Sequence, residues 1–189
     1  MIRRLTAARV CAALFCAALF CTAAASVAAA EEAKKPETRA VEIDALKSEV
    51  PTSWEKQQPK NQFRMLQYRV PKAEGDPADA EFYVSKLSGG GSVEDNLKRW
   101  ANQFADAKVG ETGKAERDGL KIYTTEIAGT YLDRPFPASP KVTERKDYKL
   151  LGAIVETSDG TLYIRVTGPA KTIDAHKAGW DNLIKNLKP

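Results

Sequence analysis

The chain has one histidine, His176, and its three cysteines, Cys11, Cys16 and Cys21, all stand near the start of its 189 residues. Beyond Cys21 there is no thiol, which excludes a disulfide, a thiolate nucleophile and a cysteine metal ligand from the rest of the chain. A single imidazole cannot build a histidine metal centre, which takes several nitrogen or sulfur ligands. No Gly-x-Ser-x-Gly turn occurs, so a Ser–His–Asp arrangement is not expected either. No acidic residue precedes Glu31. There are no internal repeats.

What stands in that acid-free stretch is Arg3, Arg4 and Arg9, then an uncharged apolar run from Val10, then Ala28-Ala29-Ala30 before Glu31. A basic start, an apolar middle and small residues at the end describe a secretory signal peptide over residues 1–30. The strongly apolar part is short beside the ~20 residues a spanning helix needs, so contact with the membrane is expected only if the segment stays uncleaved. Lipidation is disfavoured because Cys16 and Cys21 follow Phe15 and Phe20 rather than a small residue. The expected location is therefore periplasmic or extracellular. Removing residues 1–30 takes three of the 29 basic residues and none of the 25 acids, which leaves 26 against 25, a net charge of +1 instead of +4. Nucleic-acid binding is not expected at that balance.

Glu31–Ala40, EEAKKPETRA, is charged and aperiodic and reads as a linker; residues 41–189 read as one domain. Val41 and Ile43 suggest a short strand, and Pro51 opens a turn carrying Trp54. Phe63–Val70 and Ala80–Leu87 alternate as strands. Ser92 is a good N-cap with Asp95 three residues on, and Val93, Leu97, Trp100, Ala101 and Phe104 recur on one helical face. Lys114–Tyr131 reads as a hairpin about Asp118-Gly119, and Leu150–Thr167 as another about Asp159-Gly160. Ile173, Trp180, Leu183, Ile184 and Leu187 stripe a terminal helix. About six antiparallel strands with one mid-chain helix and one C-terminal helix predict an α+β fold, an α/β/α sandwich around an antiparallel sheet.

The three glycines Gly89, Gly90 and Gly91 invite comparison with a phosphate loop and fail it. The P-loop needs Lys and Ser/Thr after the last glycine, where this chain has Ser92, Val93 and Glu94. The dinucleotide fingerprint needs a further glycine where Glu94 stands. Glu94 and Asp95 would also repel a phosphate from the helix start. No nucleotide and no other cofactor is expected, and the glycines are assigned to a tight turn with close backbone approach.

GGGSVEDNLKRWANQF together with LLGAIVETSDGTLYIRVTGPAKTI resembles a family of small, exported, functionally uncharacterised bacterial proteins. The resemblance rests on Asn96, Arg99, Trp100 and Gln103, then Gly129 and Tyr131, then Thr167, Gly168 and Pro169, and it covers Pro51–Leu187. It implies a PsbP-like or Mog-like fold, an α/β/α sandwich. It carries no activity with it, and neither a photosynthetic role nor Ran binding is transferred.

Individual residues are weighed against that frame. His176 is expected to pack its ring and leave its tip to solvent. Asn96 should face the sheet, and a buried amide must be hydrogen-bonded, so it is expected as a polar latch. Arg99 should stack on an aromatic or pair with a carboxylate. No catalytic residue and no metal ligand is identified. The proline-rich segment Leu132–Asp147 is too long for an idle loop, and Arg134 and Phe136 within it are candidate partner contacts, with Arg99 a further one. The function expected is a non-catalytic binding or accessory module for a protein or envelope component. The alternative is a hydrolase using carboxylates in a surface cleft.

Overall fold

Ten strands and two helices lie among the described residues, which in this computed structural model are 36–87, 90–136 and 139–189. The segment read as a signal peptide falls outside them. The strands are β1 (Thr38–Ile43), β2 (Leu46–Pro51), β3 (Glu55–Gln57), β4 (Arg64–Val70), β5 (Ala80–Leu87), β6 (Lys108–Val109), β7 (Gly113–Arg117), β8 (Leu120–Asp133), β9 (Thr143–Thr157) and β10 (Gly160–Pro169). The helices are α1 (Val93–Ala101) and α2 (Ala170–Lys185). β1 and β2 form a separate hairpin, and the rest make one antiparallel sheet in the order β3-β4-β5-β10-β9-β8-β6, with β7 also on β8.

The expected α+β sandwich is found, with more strands than six. Two corrections follow from exposed backbone that pairs without an apolar pattern to announce it. Thr38–Ala40, read as linker, begins β1 and pairs with Glu49–Pro51. The segment Leu132–Asp147, read as loop, is strand at both ends: Leu132 and Asp133 pair with Glu144 and Thr143. Only residues 134–142 connect the two strands.

The alternation of each central strand divides its side chains between two cores. Leu66, Phe82, Val84, Leu151, Ala153, Leu162, Ile164 and Val166 turn to one face, where Ile173, Trp180, Leu183 and Ile184 of α2 and Val41, Ile43, Leu46 and Val50 of the first hairpin cover them. Trp100, Phe104, Ile127, Leu150, Ile154 and Tyr163 form a second, smaller core beneath α1. α2 has no capping side chain of its own and no acid in its first turn. Asp76, from the β4–β5 connection, accepts from Thr172 N (2.7 Å) and Thr172 Oγ1 (2.6 Å) instead. A carboxylate there meets both the free N–H groups and the positive end of the helix.

His176 is not wet at its tip. Trp54 Nε1 donates to His176 Nδ1 (3.2 Å), and His176 Nε2 lies 2.9 Å from Pro71 O. An indole only donates, so Nδ1 accepts and the ring proton sits on Nε2. Both nitrogens are spent on structure.

Candidate binding site: the α1 layer and the β8–β9 arm

α1 begins as its sequence requires. Ser92 Oγ accepts from Asp95 N at 3.0 Å, which satisfies one free amide of the first turn. The turn before it uses two glycines. Gly91 has φ +83°, and a Cβ on Gly90 would fall 2.3 Å from Tyr163 Oη. Gly89 lies outside the described residues. Asn96 is 1% exposed, and its Nδ2 donates to Gly90 O (2.8 Å) and Ser92 O (2.7 Å). It ties the helix to the glycine turn. Arg99 donates to Asn96 Oδ1; the expected aromatic stacking or carboxylate pairing is not found among the described residues, where the amide oxygen one turn back takes the guanidinium. Trp100 lies flat enough on the sheet that a Cβ on Gly152 would come 2.3 Å from its Cζ3. The helix stops at Ala101, so Phe104 is not on its face; Phe104 forms a bridge with Tyr131 and packs on that ring at 5.3 Å.

The residue that the sequence reading missed is Arg165 of β10, 5% exposed. Its Nη2 donates to Gln103 Oε1 (3.0 Å) and Thr167 Oγ1 (3.2 Å). Its guanidinium stands 5.4 Å from the centre of the Tyr83 ring and 5.8 Å from that of Trp100. Nε is enclosed without a partner. No carboxylate forms an ion pair with Arg165 among the described residues. On the far side of Tyr83, Arg64 lies 4.0 Å from the ring centre and binds Glu81 at 3.0 Å, and Lys60 binds the same Glu81 at 2.5 Å. Arg64 and Lys60 thus share Glu81, and Arg165 forms no ion pair with it. Tyr131 completes the cluster: burial raises its pKa, while the charge of Arg165 pulls the other way. Its hydroxyl stays protonated at neutral pH. Gln103, Trp100, Tyr131 and Thr167, all quoted for the family resemblance, surround this arginine.

The third feature is an arm. β9 pairs with β10 only up to Tyr148 opposite Pro169, and beyond that point β9 pairs with β8 alone, Tyr131 with Arg145 through Asp133 with Thr143, while the other edge of β8 is held by residues 103–105 through the Phe104–Tyr131 bridge and Leu132 N donating to Gln103 O (2.8 Å). The bend into the arm is built on Gly129, whose φ is +149° and whose Cβ, were there one, would sit 2.7 Å from Asp106 Oδ1. Asp106 accepts from Thr130 N at 2.5 Å, and this bond holds its carboxyl below the usual 3.8. A carboxylate with a depressed pKa stabilises the fold fully above its unfolded value and loses that contribution as pH falls through the folded one. Asp106→Asn is therefore expected to lower the urea midpoint at pH 7, with the gap to wild type narrowing below pH 3.8. A gap independent of pH would mean the charge plays no part.

At the tip, Ser139 N donates to Phe136 O (2.9 Å) and Arg134 Nη1 donates to Ser139 O (3.0 Å). Pro137 and Ala138 lie outside the described residues. Phe136 is 58% exposed and Val142 37%. Of the candidate contacts, Arg134 and Phe136 share this tip, Arg134 as a brace of the turn. Arg99 and Asn96 belong to the α1 layer.

An open groove of about 690 Å³ lies elsewhere, between α2 and the β7–β8 hairpin. Two of its acids are taken by lysines: Lys177 binds Asp181 at 3.0 Å, and Lys149 binds Glu126 at 3.1 Å. Among the described residues no three His, Cys, Asp or Glu side chains gather as a metal site, and no helix is long and apolar enough to cross a membrane.

The architecture is that of known structures. The Ran-binding protein Mog1p of Saccharomyces cerevisiae matches with a TM-score of 0.52 and 8% identity, over 80% of this chain and 95% of its own. The cyanobacterial PsbP (CyanoP) of Synechocystis sp. PCC 6803 matches with a TM-score of 0.50 and 11% identity, over 80% of this chain and 90% of its own. A Pseudomonas aeruginosa protein of unknown function, PA94, gives a TM-score of 0.48 at 14% identity, over 81% of this chain and 97% of its own. No family model matches the chain, and no curated protein matches it in sequence. The fold is PsbP/Mog-like, as the resemblance implied.

Proposed function

We propose that this chain is an exported, non-catalytic binding or accessory module that recognises a protein or envelope component through its β8–β9 arm. The observation that carries this reading is the arm itself. It runs past the rest of the sheet, it closes its own turn through Arg134 and Ser139, and it presents Phe136 and Val142 to solvent. A preformed tip loses little entropy on docking, and an apolar anchor beside charged neighbours is the usual anatomy of a contact hot spot. A ready-made protein site on this fold has a precedent in the Ran-binding neighbour, whose partner is not transferred here.

The hydrolase alternative finds its nearest acids in the groove under α2. A general acid must hold a proton at neutral pH, which calls for a carboxyl kept from cations. Glu126 and Asp181 are each bound to a lysine.

The test is Phe136→Ser combined with Val142→Ser. Both residues are exposed, so stability should change by no more than about 0.5 kcal/mol. Capture of the wild-type partner from an envelope extract should be lost while melting is unchanged. Full capture by the folded variant would contradict the proposal.

A further inference from the structure

The Arg165 cluster is a set of donors without an acceptor. Nη2 of Arg165 is shared by Gln103 Oε1 and Thr167 Oγ1, so those two oxygens are spent, yet the groups attached to them are not. Gln103 and Thr167 are half-exposed, so solvent and a ligand can reach the amide N–H₂ and the hydroxyl hydrogen, for which no protein acceptor is found among the described residues; Arg165 Nε is enclosed and unpartnered. The aromatic rings of Tyr83 and Trp100 flank the guanidinium and give it partial compensation, but they leave its charge without a counter-ion. A buried cation in this condition is costly, and an apolar side chain of similar volume preserves or raises stability at such positions. An arginine is the side chain suited to planar, charge-assisted recognition of a carboxylate.

We propose that Arg165, with the Gln103 amide and the Thr167 hydroxyl, forms a binding site for a single carboxylate group of a ligand. One uncompensated guanidinium calls for one negative charge. The carboxylate can come from a free small acid or from an acidic side chain of a docked polypeptide; the chemistry at Arg165 is the same. The site lies by α1, away from the arm tip, and stands without the arm proposal.

The experiment follows the Arg165 Nε–H resonance of the full chain, isotopically labelled, during titration at constant ionic strength. The probes are succinate, a capped peptide with one glutamate, and inorganic phosphate. A saturable shift with succinate, the peptide or both, absent with phosphate, is expected. Succinate alone identifies a free acid as the source, and tighter binding of the peptide identifies a side chain. No saturable shift with either carboxylate, or a shift with phosphate alone, overturns the proposal. Arg165→Met supplies a second readout. Melting is expected to stay level or rise, and carboxylate-dependent thermal stabilisation, present in wild type, is expected to vanish. A folded Arg165→Met protein that still gains melting temperature from the same carboxylate also overturns it.

Discussion

Replacing Trp100 with alanine is expected to lower the free energy of unfolding by about 3–5 kcal/mol, the range for truncating a buried large aromatic. Trp100 is 4% exposed and sits at the centre of the smaller core, edge-on to Tyr163 with ring centres 6.4 Å apart. α1 is only nine residues long, too short to be stable by propensity alone. The packing of Trp100 on the sheet holds it, with the local bonds of Asn96 and the Ser92 cap fixing its start. The loss of the indole therefore removes both packing and the reason for α1 to stay on the sheet. Chemical denaturation of the purified variant measures this. A loss under about 0.5 kcal/mol, typical of surface changes, would place Trp100 outside the core.

The second large effect comes from the opposite side of the same contact. Gly152→Ala is expected to destabilise by about 1–3 kcal/mol, the usual cost of overpacking. The added Cβ would lie 2.3 Å from Trp100 Cζ3 and 2.7 Å from its Cε3, and the indole already packs edge-on to Tyr163 of β10. A Gly→Ala change without strain gains about 0.4–1 kcal/mol through the unfolded state, so the sign of the result tells whether the clash is real. In a Trp100→Ala background the worst of the obstruction is gone, with Leu150 Cδ2 at 3.2 Å as the tight neighbour left, and the same change should cost less than in wild type. Additivity of the two substitutions, which the contact forbids, would contradict the packing described.

Much of the fold follows from local pattern. Ser92, Val93 and Trp100 announce α1. The apolar stripe from Ile173 to Ile184 announces α2, and Asp159-Gly160 between two β-rich runs announces the β9–β10 hairpin. The arm was hidden because both of its faces meet solvent: Thr143–Asp147 are all exposed, so no alternation of apolar and polar residues marks them as strand. Thr38–Ala40 escaped for the same reason, with charge and a preceding proline giving β1 the look of a linker. Arg165 was passed over for a different cause. Tyr163, Arg165 and Thr167 alternate with Ile164 and Val166, and alternation alone assigns them to a solvent-facing side of the sheet. α1 and the segment after it bury that side, so what reads as a surface arginine is enclosed. The signal available was its place, a charged residue in the middle of a strand whose neighbours on either side are fully apolar. Gln103 and Thr167, quoted for the resemblance, prove to be the groups that hold it.

The central claim is that the arm tip meets a partner. It is tested most directly by a photo-crosslinking residue introduced at Phe136 in one variant and at Lys177 of α2 in another, with both expressed in the cells that make the protein. The account predicts a discrete crosslinked species from position 136 that is absent from position 177 and is abolished by Val142→Ser. Crosslinking from position 177 alone, or none from 136, would contradict it.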